Sequence, residues 1–442
     1  MYNFSCPYLP PSDTVPTSVH ELRPGDVSVI AALGDSLTAG YAISADSLRE
    51  VFTEYRGLSW SVGGDNSFAE GTLTLTNILR NYNPDIVGYS VDIGSHRNFN
   101  VSRLNVAVGG ARAYDMLTQT EELIARLKNW DEVDYENDWK LVTLLIGGND
   151  LCAYGRDPLG ASTAAYKEEI KKALDKMHAE IPRTFVNLVQ VLLVTEVNKL
   201  TGYCDFIHLV ACPCAKQRWD ENWEDVLHLA RSYHRALEDL VLYGDYDTRD
   251  DFTVVIQPFF EETYIPWLED KGRWDDSLFA PDCFHFSEYG HQVGAMTLWN
   301  NMVEPAGSKR KAWSPEDVLE CPAQNFSYFY TYKNTPGYEI PTRGPSTIAP
   351  STVAPTYPYQ FPCAITPPST EVPTSVHRLR PADVNVIAAL GDSITAANGA
   401  GADNILQVLI EYRGLSWSIG GDKSLEQGIL TLSNILRMYN PT

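Results

Sequence analysis

Ala31 to Gly40 reads AALGDSLTAG, and the rest of the chain is best read outward from it. The stretch ends an apolar run, Ser28–Leu33 (SVIAAL), too short for a helix and without the alternation of a half-exposed strand. Such a run reads as a strand buried on both faces. Gly34-Asp35-Ser36 then interrupts it with residues that start helices. Four more segments have the same apolar character: Leu104–Val108, Leu141–Ile146, Phe185–Val194 and Phe252–Ile256. Between and after the runs the spacing predicts helices over Asp46–Tyr55, Tyr114–Lys128, Ser162–Glu180, Asn222–Val241 and Ser287–Asn301. Buried strands alternating with helices predict an α/β protein with a central parallel sheet covered on both sides. In such a fold the ligand crevice lies beyond the carboxyl ends of the strands.

Polar turns follow these strands in order. Gly34-Asp35-Ser36-Leu37 follows the first, Gly109-Gly110-Ala111 the second, Gly147-Gly148-Asn149-Asp150 the third, and Asp282-Cys283-Phe284-His285 comes late. Each has an ordinary structural reading alone, as a cap or a turn. Together they hold what a serine esterase needs. Ser36 is the candidate nucleophile, His285 its base, and Asp282 the carboxylate that orients the imidazole. The Ser36 and Gly110 backbone N–H groups and the Asn149 side-chain amide are the candidate oxyanion donors.

A near-identical serine turn, AALGDSITAA, recurs at Ala388–Ala397. The match runs from Cys6–Pro84 to Cys363–Pro441 at a constant offset of 357 residues, pairing Ser36 with Ser393. VPTSVHELRPGDV pairs with VPTSVHRLRPADV, and YRGLSWSVGGD with YRGLSWSIGGD. A period this long is a tandem domain and not a solenoid turn. The expected organisation is a complete repeat over 1–336, a Pro/Ser/Thr-rich linker over 337–374, and the truncated start of a second repeat over 375–442. Ser393 has no glycine donor, GGND turn or DxxH pair after it, so it is expected to be inactive, in a loosely ordered segment.

Charge and motifs narrow the function further. With 34 basic and 57 acidic residues, a net charge of −23, the chain is a poor match for nucleic acid or anionic lipid. It has no apolar run long enough to span a membrane. It lacks HExxH, GxSxG and the GxxxxGK[ST] phosphate loop. Sequons at Asn3, Asn100 and Asn325, the Pro/Ser/Thr stretch and eight cysteines point to the secretory route, with signal and anchor outside this chain. Cys204, His208, Cys212 and Cys214 have no familiar zinc spacing and read as disulfide material, and no metal or cofactor is expected.

GDSL, NVAVGG, GGND and DxxH in this order resemble the GDSL/SGNH hydrolase superfamily. YRGLSWSVGGD, LIGGNDLC, IPRTFVNLV, YDTRDDFTVVIQPFF, APDCFHFS and LWNNMVEP are similar to the membrane-associated phospholipase B family, itself built of tandem repeats. The resemblance implies a three-layer α/β/α, flavodoxin-like fold. It also implies a metal-independent serine lipid esterase acting on phospholipids and lysophospholipids, with a membrane surface as the source of substrate. It places Ser36, Asp282 and His285 in the triad, and Gly110 and Asn149 as oxyanion donors. Two departures stand out. Tyr41-Ala42-Ile43-Ser44 replaces the family's Asn-Gly-Ala, which the second copy keeps as Asn398-Gly399-Ala400. Cys152 lacks the usual second cysteine three residues on, so 1–336 holds seven cysteines whose bridges the sequence leaves open. His291 reads as a helix residue facing the rim or solvent. The aromatic stretch Asn325–Asn334 reads as a tail packed back on the domain. Two other functions stay open: a non-catalytic extracellular module binding lipid or a partner, and an esterase acting on acetylated carbohydrates.

Overall fold

The computed structural model describes residues 4–215, 223–342, 365–402, 407, 410–425 and 427–441. The chain divides into two compact units, Met1–Arg343 and Gly344–Thr442. Most of the expected linker, 343–364, lies outside the described residues.

In the first unit β1 (Val27–Gly34), β2 (Trp139–Leu145), β3 (Thr184–Val189) and β4 (Phe252–Gln257) form one parallel sheet in the order β1-β2-β3-β4. Ala31 faces Val142 across the β1–β2 pair, Val142 faces Val186, and Val186 faces Val254. Successive side chains point to opposite faces, so each strand feeds two cores. Ala31, Leu33, Val142, Leu144, Val186, Leu188 and Val254 enter one. Ile30, Ala32, Leu141, Leu145, Phe185, Val189 and Val255 enter the other.

Nine α-helices precede the second unit among the described residues. They are α1 (Ser36–Ala39), α2 (Leu75–Leu79), α3 (Phe99–Ser102), α4 (Met116–Asn129), α5 (Gly148–Ala153), α6 (Thr163–Glu180), α7 (Tyr203–Ala211), α8 (Trp223–Val241) and α9 (Glu288–Met302). α4, α6 and α8 cover the first face, and α2 and α9 the second. This is the three-layer α/β/α arrangement with a central parallel sheet. Local chemistry sets several boundaries. Ser162 caps α6 by accepting from the Ala165 N–H, and Ser287 caps α9 by accepting from the Gly290 N–H.

Two expected elements form differently. Leu104–Val108 is not a sheet strand; it runs beside β1 through bonds such as Val106 N–H to the Ala32 carbonyl, 3.0 Å, with one isolated bridge at Asn105. Residues 46–55 are turns, because the chain doubles back: the Tyr55 N–H donates to the Gly40 carbonyl and the Ala42 N–H to the Thr53 carbonyl. Those pairs take backbone groups that a helix would use itself. β3 also stops at Val189, short of the apolar run's end at Val194. The tail packs back as expected, with Phe329 fully buried in the second core.

In the second unit, 384–390, the counterpart of β1, forms no strand; Val386 and Leu390 are exposed. A six-residue helix, Leu432–Arg437, matches α2.

Candidate active site

β1 ends in Gly34, whose φ of +154° and surroundings admit only glycine: an added Cβ would lie 2.5 Å from the Leu145 carbonyl oxygen. The chain turns there, Asp35 caps α1 by accepting from the Leu37 N–H at 3.0 Å, and Ser36 becomes the first helical residue. Ser36 is 5% exposed.

The Asp282–His285 turn is built locally. Asp282 Oδ1 accepts from the Phe284 and His285 N–H groups, each at 3.0 Å. The Ala280 N–H donates to the His285 carbonyl, and Phe279 bridges to Phe286 across the base of the loop. Cys283 takes a left-handed φ of +55° at the tip. The turn leaves Asp282 Oδ2 2.6 Å from His285 Nδ1, and His285 Nε2 2.8 Å from Ser36 Oγ. A carboxylate only accepts, so Nδ1 carries a proton and neutral Nε2 is left to accept from the serine hydroxyl. Burial alone would raise the Asp282 carboxyl pKa. The neighbouring His285, with the hydrogen bonds from its ring and from the two N–H groups, instead holds it below the ordinary value.

Asn149 lies in α5, after Gly147 with φ +124°, and its Nδ2 donates to the Ala111 carbonyl at 3.0 Å. This bond brings the GGND turn against the turn of Gly110, which has φ +77°. Ser36, Asn149, Gly148, Leu192, Val194, Val197 and Phe284 line one narrow cleft of about 20 Å3, open to solvent on one side. A wider, more polar depression of about 710 Å3, lined by Arg231, Arg235, Glu261 and Lys311 among others, contains none of these site residues.

The structure thus brings Ser36, His285 and Asp282 into one hydrogen-bonded chain, with Asn149 beside the Gly110 turn. Sequence reasoning missed the groups behind them. Asp150 accepts from the Ala113 N–H at 3.1 Å and from Arg112 Nε at 3.4 Å, linking the GGND turn to the chain after Gly110. Burial raises its carboxyl pKa to about 7 against the opposing pull of Arg112. Burial likewise raises Asp35 to about 6. Position after Asn149 and Gly110 was the available signal, but nothing in the sequence pairs Asp150 with Arg112. His291 does not face the rim: it is buried in α9, and its Nδ1 accepts from the Trp60 N–H at 3.2 Å. An apolar packing site inside α9 replaces the expected solvent face.

The four residues weighed as a zinc set resolve into separate partners. Cys204 is joined to Cys283, Cys212 to Cys152, and Cys6 to Cys321. His208 donates from Nε2 to the Cys283 carbonyl at 2.8 Å, and Cys214 Sγ to the Leu151 carbonyl at 3.3 Å.

Residues 30–298 match the family described as GDSL-like Lipase/Acylhydrolase. The chain is 45% identical to "Phospholipase B1, membrane-associated" of Homo sapiens over 98% of its own length and 29% of that protein. It is 42% identical to the protein of the same name from Rattus norvegicus, over 99% of its length and 30% of that protein. The chain therefore spans less than a third of these curated relatives. A solved acetylxylan esterase from Geobacillus stearothermophilus aligns with 62% of this chain and 93% of its own, at 14% identity and a TM-score of 0.31. No helix among the described residues is long and apolar enough to cross a membrane.

Proposed function

The chain belongs to the GDSL-like lipase/acylhydrolase family, which places it among the carboxylic ester hydrolases, and on that premise we propose that its first unit hydrolyses acyl esters of glycerophospholipids and lysophospholipids through Ser36, His285 and Asp282. The observation that carries this reading is the run of two hydrogen bonds from Ser36 Oγ to Asp282, opening on a cleft walled by Leu192, Val194, Val197 and Phe284. An apolar wall of that kind suits a hydrocarbon acyl chain.

In this mechanism Ser36 Oγ attacks the ester carbonyl while His285 Nε2 takes its proton. The ionised Asp282 fixes the imidazole and stabilises its cationic form. The Ser36 and Gly110 N–H groups and the Asn149 amide receive the oxyanion. His285 then protonates the leaving alcohol. Water, deprotonated by the same histidine, releases the fatty acid from the acyl-enzyme. Ser393 is exposed, and this mechanism does not draw on it. The disulfides and the exposed sequon residues Asn100 and Asn325 support an extracellular or lumenal setting.

Labelling with a fluorescent fluorophosphonate tests the assignment, with wild type beside Ser36→Ala and Ser393→Ala, each checked for folding. Loss of label in Ser36→Ala alone is the expected result. A folded wild type that takes no label overturns it and favours a binding module. Parallel assays on lysophosphatidylcholine and acetylated xylose separate lipid from carbohydrate esters.

A further inference from the structure

α7 has two unlike faces. Cys204 and His208, four residues apart, share one stripe of the helix, and Cys212 caps its C-terminal end. Each engages a loop of the active site. Cys204 is bonded to Cys283, between Asp282 and His285; His208 donates to the Cys283 carbonyl at 2.8 Å; Cys212 is bonded to Cys152 on α5, the helix that carries Asn149. The outer face is apolar and uncovered. Tyr203 is 61% exposed, Phe206 75% and Leu209 45%.

A second exposed aromatic element shares the same footing. The hairpin β5 (Trp267–Leu268) and β6 (Arg273–Trp274) holds Trp267, 45% exposed, edge-on to Trp274 at 5.1 Å. Trp274 packs against the small core of Leu200, Cys204, Ile265 and Cys283. So α7 and the hairpin meet at the base of the triad loop and both turn apolar surface outward. A protein surface rarely leaves Tyr, Phe and Leu along one helix face in water.

Resting on the lipid-esterase reading above, we propose that the outer face of α7, with Trp267 beside it, is the surface on which this protein docks to a zwitterionic phospholipid bilayer. Rings with one apolar and one polar end suit the boundary between headgroups and acyl chains, which is the chemistry of Tyr203 and Trp267. Phe206 and Leu209 supply purely apolar anchors. Charge selects the lipid: α7 carries Asp205 and no Lys or Arg, and the chain's net charge is −23, so an anionic surface would repel it. Docking here holds at the lipid surface the helix that is bonded to Cys283 and Cys152.

Co-sedimentation with phosphatidylcholine vesicles tests this, using Ser36→Ala as the parent so that lipid is not consumed. Phe206→Ser and Tyr203→Ser/Phe206→Ser in that parent are expected to weaken vesicle binding about tenfold or more. In the active chain the same changes are expected to leave kcat/KM for soluble p-nitrophenyl butyrate within about twofold while vesicle hydrolysis falls with binding; Phe206→Trp is expected to keep both. Vesicle binding unchanged in the serine variants overturns the proposal. So does a wild-type dimer that the variants convert to monomer without any change in vesicle binding, which would make the face a contact between copies. Absence of soluble-ester hydrolysis by wild type with vesicle binding intact overturns the esterase reading and leaves the docking surface standing.

Discussion

The Tyr41 ring stacks on the His285 imidazole, with centroids 5.9 Å apart and planes 28° from parallel. Tyr41 is the residue at which the chain departs from the Asn398 of its own second copy. Its hydroxyl donates to Glu54 Oε1 at 3.3 Å. Glu54 pairs with buried Arg56, whose guanidinium in turn donates to the Asn105 and Ala107 carbonyls. The ring also fills the space a side chain at Gly109 would need. Tyr41 thus holds the histidine from the side. Tyr41→Phe, which keeps the ring, is expected to change kcat less than about twofold. Tyr41→Asn is expected to lower kcat on small esters about three- to tenfold, the worth of one aromatic contact, and to favour esters of bulkier alcohols. Steady-state kinetics on an alcohol series checks both.

Asn149→Ala removes a candidate oxyanion donor and the bond to the Ala111 carbonyl. The expected loss is about 10²–10³ in kcat with KM little changed, because the donor acts chiefly on charge that develops in the transition state. A drop confined to KM would assign Asn149 to substrate binding instead.

Asp35 titrates near 6 because it is buried, and not near its ordinary value. A carboxyl whose folded pKa is raised contributes stability that is fully present below the unfolded value, about 4, and lost as pH rises through about 6. Asp35→Asn can still accept from the Leu37 N–H but cannot ionise. The variant is therefore expected to gain on wild type between pH 4 and 7, by on the order of 2–3 kcal/mol. Thermal melts across that range test it; parallel curves would show that Asp35 ionises freely.

Asp150→Ala leaves Arg112, 3% exposed, still paired to Asp157 but without its buried carboxylate. Breaking one side of a buried pair costs about 3–5 kcal/mol. A clearly lowered Tm is expected, with a loss of kcat as the Ala111–Ala113 segment loosens against α5. Denaturant melts and turnover on the same preparation measure both.

Cys204→Ala/Cys283→Ala removes the disulfide between α7 and the Asp282–His285 turn but leaves the His208 bond to the residue 283 carbonyl. The expected cost is about 2–4 kcal/mol of stability. A several-fold fall in kcat is also expected, since residue 283 is followed two positions on by His285. An unchanged kcat would show that the turn's own hydrogen bonds suffice to place the histidine.

Features that depend on residues close in sequence were legible in the sequence alone. The starts of α6 and α9 at Ser162 and Ser287 and the DxxH turn depend on partners within a few positions, and apolar runs mark the segments that become strands once neighbours pair with them. The segment 46–55 and the run 104–108 were misread for the opposite reason. Their backbone groups pair with residues 40–42 and with β1, and no local pattern records that choice.

The two serine turns draw the same line. The sequence by itself determined the order of strand, glycine, capping aspartate and serine, and it did so twice: Asp392 bonds the Ile394 N–H at 3.0 Å just as Asp35 bonds that of Leu37. Only tertiary structure decided what each copy became. Val29–Leu33 gains β2 on one edge and the 104–108 run on the other, and buries both faces, so it is a strand and Ser36 meets a histidine 249 residues away. Val386–Leu390, the same five residues, forms no strand, and Ser393 is exposed. A strand's hydrogen bonds and its apolar burial are both supplied by its neighbours, so a sequence can specify the turn alone but not the site.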